Sequence, residues 1–169
     1  REKGSRVFGI DAVNEFDDLT DDIYDYCEIL KIGVDTLIHE SGPSQIEINL
    51  NHGDPLQLAD QAFMFKRAVR QVALKHGIHA TFMSKPYQGH PGSSMHIHQN
   101  IISNKTNKNL FSDENGNNTE EFFHFIGGLQ TYLPDAMLFF APYVNSYRRF
   151  VIDASAPINT HWGLENRTV

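Results

Sequence analysis

Helices and antiparallel strands in one chain are what the sequence predicts, and three stretches carry the prediction. Val34–Glu40 and Gln45–Asn51 flank the tetrad Ser41-Gly42-Pro43-Ser44 and read as a β-hairpin. Asp54–His76 sets apolar residues at helical spacing between a capping aspartate and Gly77. Ser94–Ile101 alternates Met95, Ile97, Gln99 and Ile101, the face expected to be buried, with His96, His98 and Asn100, which is the period of a strand.

Each element follows from local chemistry. Arg6–Ile10 reads as a short strand and Asp11–Asp18 as an acidic loop. Thr20 is the expected cap of a first helix, Asp21 and Asp22 suit the positive end of its dipole, and Ile23, Cys27 and Leu30 form its stripe up to Gly33. In the hairpin, Ile46, Ile48 and Leu50 share an apolar face, and Gln45, Glu47, Asn49 and Asn51 share the other. The second helix has Asp54 as cap, Pro55 in its first turn, Gln57 completing a box-like cap, and the stripe Leu58, Ala62, Phe65, Val69, Val72. Lys66, Arg67 and Arg70 lie off that stripe and are expected to face solvent. Ala80 opens a further strand-like start, and Ser103–Asn118 is a polar hairpin tip and loop. Thr119, Glu120 and Glu121 begin a helix with Phe123, Ile126, Gln130 and Leu133 on one side. Pro134 is expected to interrupt it before a second piece ending at Ala141, with the phenylalanines in the core.

Composition narrows the function classes. At 169 residues the chain is one domain or most of one, and such a chain buries roughly 70% of its unfolded surface. Cys27 is its only cysteine, which rules out an internal disulfide and cysteine-rich zinc sites and agrees with a reducing compartment. The net charge is −7 and no basic block or stripe occurs, so a nucleic-acid partner is not expected. No apolar run reaches membrane-spanning length and no signal peptide opens the chain, so a cytoplasmic protein without a membrane partner is expected. The first residue is not Met and no terminating signal follows Asn166-Arg167-Thr168-Val169, so a piece of something longer is expected. No repeat, P-loop or GxGxxG fingerprint is present.

Chemistry concentrates in a few places. Lys85–Ser93 holds Pro86, Gly89, Pro91 and Gly92, residues that let backbone amides approach a ligand closely. The histidines after it either line the wet side of a half-buried strand or reach into a site. Glu40, at the end of its strand, and Glu47, on the returning one, can approach each other. Such carboxylates repel unless a cation lies between them, and a hard divalent ion takes them readily, with imidazole tolerated by manganese. Glu40, Glu47 and His96 are therefore a candidate metal constellation, against the alternative of a solvated polar sheet face. Arg148, Arg149 and Arg167 stand among prolines, asparagines and aromatics, where a guanidinium either clamps a carboxylate or phosphate or forms surface ion pairs.

Three long stretches, HESGPSQIEIN, TFMSKPYQGHPGSSMHIHQN and PYVNSYRRF with SAPINTHWGLENRTV, resemble the catalytic domain of the glutamine synthetase family, in the family's own order from about Val34 onward. The flavour is closest to the γ-glutamylpolyamine synthetase-like branch. The resemblance implies an α+β fold with a curved, largely antiparallel sheet and flanking helices. Residues 1–169 would be the central part of one such catalytic domain, ATP entering one end of a funnel and glutamate the other. It implies Glu40 and Glu47 as ligands of one Mg2+ or Mn2+ ion and His96 as a ligand of a second, which bridges the ATP phosphates. Gly92 resembles a backbone contact to glutamate, and Arg149 resembles the holder of a glutamate carboxylate. His98 and Asn100 fall where ATP is contacted, and Arg167 where the phosphates are stabilised. Glu40 also borders the amine pocket. The implied reaction is ATP-dependent ligation of the glutamate γ-carboxylate to an amine through γ-glutamyl phosphate.

Departures from the family's pattern bear on the details. Asn100 stands where many members have serine, and His52 where many have an aromatic near the adenine. Ser155 stands six residues beyond Arg149, where glutamine-forming members carry a glutamate that takes a proton from ammonium. A serine there favours an alkylamine or polyamine over ammonia as acceptor. The His161-Trp162 pair offers an indole face to a cationic amine or packs its loop. The family's other metal carboxylates, two further arginines and an amino-terminal domain that completes a neighbouring subunit's site are expected outside this sequence. The parent is thus expected to be a homo-oligomeric ring, a dodecamer in the family, and this stretch alone inactive. The alternative is a non-catalytic structural or interaction protein of the same fold.

Overall fold

In the computed structural model of the chain, which describes residues 14–152, 154 and 156–166, helix α1 (Asp17–Ile29) starts a turn earlier than Thr20. Thr20 is not its cap: it is buried inside the first turn and its hydroxyl donates to the Asp17 carbonyl at 3.0 Å. The earlier start places Asp17 and Asp18 at the positive end of the dipole and brings Leu19 against the core. The helix closes at Lys31, not Gly33. Ile32 N–H bonds Cys27 O at 2.8 Å and Lys31 N–H bonds Glu28 O at 3.0 Å, a Schellman closure with a left-handed Lys31 (φ 57°) where glycine is usual. The closure turns Ile32 into the core beside Cys27, and Leu30 is left half exposed. The expected strand Arg6–Ile10 and the first part of the acidic loop lie outside the described residues.

Strands β1 (Val34–His39) and β2 (Ile46–Leu50) form the predicted hairpin, antiparallel, with Leu37 opposite Ile48, Ile38 opposite Glu47 and His39 opposite Ile46. An irregularity between Val34 and Thr36 shifts the register so that Val34 faces Leu50. Ile48, Leu50 and Val34 pack on the core, and His39, on that same face, is buried. Helix α2 (Pro55–Lys75) matches its expected limits: Asp54 Oδ1 accepts from the N–H groups of Leu56 and Gln57 at 3.1 Å each, and Gly77 (φ 70°) closes the far end. Its buried face is Phe65, Ala68, Val72 and Ala73, with Val69 beside them. Lys66 and Arg70 lie over the Phe82 ring, 5.9 and 5.2 Å from its centre, and Phe82 meets Phe65 edge-on. These elements, with Pro86–Gly92, make one compact unit whose core is Ile23, Cys27, Ile32, Phe65 and Val72.

Met83–Lys85 and the described residues from Ser93 onward make a second unit. The alternating stretch 94–101 and the strand-like start at Ala80 pair with no other strand among the described residues, and Met95, Ile97 and Ile101 are exposed where burial was expected. Alternation sets which side chains share a face; whether that face is covered depends on a neighbour. Pairing begins only at the polar hairpin, where Ile102 bridges Asn109 and Leu110 N–H bonds Ile101 O at 2.8 Å. Thr119 then caps helix α3 (Glu120–Phe140), its hydroxyl accepting from Phe122 N–H.

Pro134 lies within α3 and does not divide it. A proline removes one N–H and one helical bond, at about 3 kcal/mol, while the residues around it, Leu133, Ala136, Met137 and Leu138, are good helix formers. The phenylalanines of α3 are not uniformly core. Phe122 and Phe125 pack on buried Phe111, whereas Phe139 is 83% exposed, and no residue of the helix is buried. A 3-10 helix (Val144–Arg149) follows. Among the described residues the chain thus has three α-helices, one 3-10 helix and one two-stranded antiparallel sheet, an α+β composition. No helix among them is long and apolar enough to cross a membrane.

Candidate functional site

The hairpin register decides where its carboxylates go. Glu47 faces Ile38, and Glu40 N–H bonds Gln45 O at 2.8 Å, continuing the ladder one step past β1. Glu40 and Glu47 therefore occupy diagonal positions on one face, which in a sheet are about 7–8 Å apart. Thr36 and Asn49 share this face, joined by a 2.9 Å bond from Asn49 Nδ2 to Thr36 Oγ1. The Glu40 carboxylate is folded onto its own turn, accepting from Ser41 N–H at 3.0 Å and Ser41 Oγ at 3.3 Å. Two carboxylates on one face suit a hard divalent ion, which needs about six oxygen or mixed ligands. Within each unit, no group of three His, Cys, Asp or Glu among the described residues is gathered to hold a metal. The hairpin accordingly supplies a pair of donors and not a full shell.

The glycine- and proline-rich loop is held from two sets of residues, one in each unit. In the first, Gln45 Nε2 donates to Gly92 O at 3.1 Å. In the second, Ser93 N–H bonds Ser84 O at 2.9 Å and closes the stem of the loop. Asn145 and Ser146 of the 3-10 helix fasten that stem, Asn145 to both backbone groups of Lys85 and Ser146 Oγ to Ser84 Oγ at 3.2 Å. Arg149 Nη1 donates to Ser93 O at 2.8 Å. Its Nε is buried without a partner, and burial holds the guanidinium below its ordinary value. A half-buried guanidinium beside Ser93 with its Nε unpaired can receive an anion.

The remaining expected residues divide clearly. His96, His98 and Asn100 fall on the same side of the alternation, all exposed, on the stretch that has no partner strand among the described residues. Ser155 and Arg167 lie outside the described residues. Arg148 is exposed, and Gly92 is half-buried. Trp162 packs edge-on against Phe122 and Phe123, and Gln130 Nε2 donates to Thr160 O at 2.8 Å, so this tryptophan secures its loop on α3. Sequence reasoning missed Gln45, Asn145 and His39 as fasteners or buried polar groups. Asn145 carried a signal in its place among the Tyr and Arg residues of PYVNSYRRF. His39 was assigned no role, although the period of β1 sets it opposite Ile46 on the core face, where its Nδ1 has no partner.

All 169 residues match the family model described as glutamine synthetase, catalytic domain. The chain is 41% identical over its whole length to the gamma-glutamylputrescine synthetase PuuA of Escherichia coli (strain K12), of which it spans 36%. It is 37% identical over 95% of its length to a glutamine synthetase of Pyrococcus horikoshii, again spanning 36% of that protein. Among solved structures, a GmaS/ADP complex superposes with a TM-score of 0.86 at 31% identity, covering 98% of this chain and 40% of that one.

Proposed function

The chain belongs to the glutamine synthetase family, and from that premise we propose that the protein carrying it is an ATP-dependent ligase that joins the γ-carboxylate of glutamate to an amine. The observation that carries the reading is the placement of Glu40 and Glu47 on one hairpin face, which suits a divalent cation. In this reading Glu40 and Glu47 hold one Mg2+ or Mn2+ ion and His96 contributes to a second. When bound, such ions spread the charge of the transferring phosphoryl group. Gly92 and Arg149 receive glutamate, the guanidinium offering its unpaired Nε–H to a carboxylate beside the Ser93 carbonyl that it already holds. His98 and Asn100 contact ATP, and Arg167 steadies the phosphates. The γ-carboxylate attacks the γ-phosphorus of ATP, breaking its bond to the β-phosphate oxygen and releasing ADP, to give γ-glutamyl phosphate; the amine then displaces phosphate from it, losing a proton to form the amide. Residues 1–169 form the central part of one catalytic domain, inactive alone, in a cytoplasmic homo-oligomeric ring.

An alkylamine or polyamine is the acceptor in this reading, which the name of the Escherichia coli relative and the serine at position 155 both support. A serine there lacks the anion that ammonium would need and is smaller than a glutamate. Glutamate-dependent phosphate release by the full-length protein, measured with ammonia, methylamine, putrescine and spermidine in competition, tests it. A higher kcat/KM for an organic amine is expected. A much higher kcat/KM for ammonia overturns the acceptor, and no release with any amine overturns the ligase.

A further inference from the structure

We propose that Gln45 is a positioning residue for glutamate binding, one that holds Gly92 and the turn after Glu40 in a single arrangement. The inference rests on the reading of Gly92 as the backbone contact to glutamate.

Gln45 immediately precedes β2 and ties four backbone groups. Its main-chain carbonyl accepts from Glu40 N–H at 2.8 Å, and its N–H donates to Gly42 O at 3.1 Å. Its side chain accepts from Gly42 N–H at 2.8 Å through Oε1 and donates to Gly92 O at 3.1 Å through Nε2. One partner is a donor and the other an acceptor, so the amide fits in one orientation only; turned over, it would set donor against donor and carbonyl against carbonyl. The bond to Gly92 spans 47 residues and is a tertiary tie. Gly42 is the matching half of the device: a Cβ there would lie 2.5 Å from Gln45 Oε1, so the amide can occupy its place only beside a residue without a side chain. Glycine at 92 leaves the backbone otherwise free to rotate, and the bond to its carbonyl removes that freedom before a ligand arrives. Gln45 needs no contact with glutamate to act in this way.

Two substitutions separate its parts. Gln45→Glu keeps an acceptor for Gly42 N–H and removes the donor to Gly92; Gln45→Met removes both. In the full-length protein, Gln45→Glu is expected to raise KM for glutamate about tenfold, the effect of one lost hydrogen bond, with kcat changed less than about twofold and KM for ATP unmoved. Gly42→Ala, whose Cβ displaces the same amide, is expected to raise the glutamate KM likewise. Unaltered glutamate KM in Gln45→Glu overturns the inference, as does a fall in kcat alone. Glutamate binding by calorimetry covers the remaining cases. If the wild-type protein binds glutamate without turnover and Gln45→Glu binds it about tenfold more weakly, the ligase reading fails and the tie stands. If the wild type turns over and the variant binds glutamate normally, the tie fails and the ligase reading stands.

Discussion

Asn145 meets Lys85 across 60 residues of chain with both ends of its amide, Oδ1 accepting Lys85 N–H at 2.8 Å and Nδ2 donating to Lys85 O at 2.9 Å. A side chain that copies a strand partner in this way fixes the peptide groups at the stem of the glycine- and proline-rich loop. Asn145→Ala leaves two part-buried backbone groups without their partner and is expected to cost about 1–3 kcal/mol. Asn145→Asp retains the bond to the N–H but sets a carboxylate against the carbonyl, and should cost at least as much at neutral pH. Urea unfolding followed by fluorescence checks both, and an unchanged midpoint in Asn145→Ala would show that the pair contributes nothing to stability.

The carboxylate pair on the hairpin gives a metal prediction. In the full-length protein, Glu47→Gln should weaken binding of Mn2+ by at least about tenfold, since it removes a charged ligand from a hard-cation site. Glu114→Gln, which disturbs only the exposed ion pair with Lys108, should leave it unchanged. Titration by electron paramagnetic resonance of free Mn2+ separates the two outcomes.

Acid should open the tip of the polar hairpin. The side chain of Asn117 first, and then its backbone N–H, hold the Asp113 carboxyl below its ordinary value, with a further bond from Asn115 N–H at 2.8 Å. A pKa lowered on folding gives stability that is complete above the unfolded-state value and disappears as pH falls through the lower folded-state value. Local protection of the Asn115 and Asn117 amides is therefore expected to persist at neutral pH and to fail only below the usual aspartate range. Amide exchange of these two residues against pH measures it, and Asp113→Ala should remove the protection at every pH.

Lys31 is the clearest place to gain stability. It adopts φ 57° at the end of α1, a conformation that strains a residue with a Cβ by roughly 1 kcal/mol and glycine hardly at all. Lys31→Gly should raise stability by about that amount, read as an increase in Tm. A decrease would mean that the Lys31 side chain makes a compensating interaction.

What could be read from the sequence was whatever local chemistry determines. The hairpin followed from a Ser-Gly-Pro-Ser turn between two alternating runs, and α2 from Asp54, Pro55 and Gly77, each with a mechanism confined to a few residues. Thr20 misled because threonine serves inside a first turn as well as before it, and Pro134 because a proline's cost can be met by good helix formers on both sides. The stretch from Ser94 to Ile101 shows the harder limit: its period is visible in the letters, while the cover over Met95 and Ile97 is a matter of which strand lies alongside. The same holds for the site. Glu40 and Glu47 could be set on one face by counting, but the bonds from Gln45 to Gly92 and from Asn145 to Lys85 join residues 47 and 60 positions apart, and no local pattern announces them.

The far end of α3 bears on how a solution of this polypeptide behaves. From Leu129 to Val144 the only charged side chain is Asp135, while Tyr132, Leu138, Phe139, Tyr143 and Val144 are each at least 70% exposed. Against this stands a net charge of −7, which keeps molecules apart by repulsion. The two forces answer oppositely to electrolyte: added salt screens the repulsion within roughly 10 Å at 0.1 M and leaves the attraction between apolar surfaces intact, and sulfate strengthens it. Colloidal stability is thereby greatest in dilute buffer well above the pI of about 5.6 and declines toward either high ionic strength or that pH.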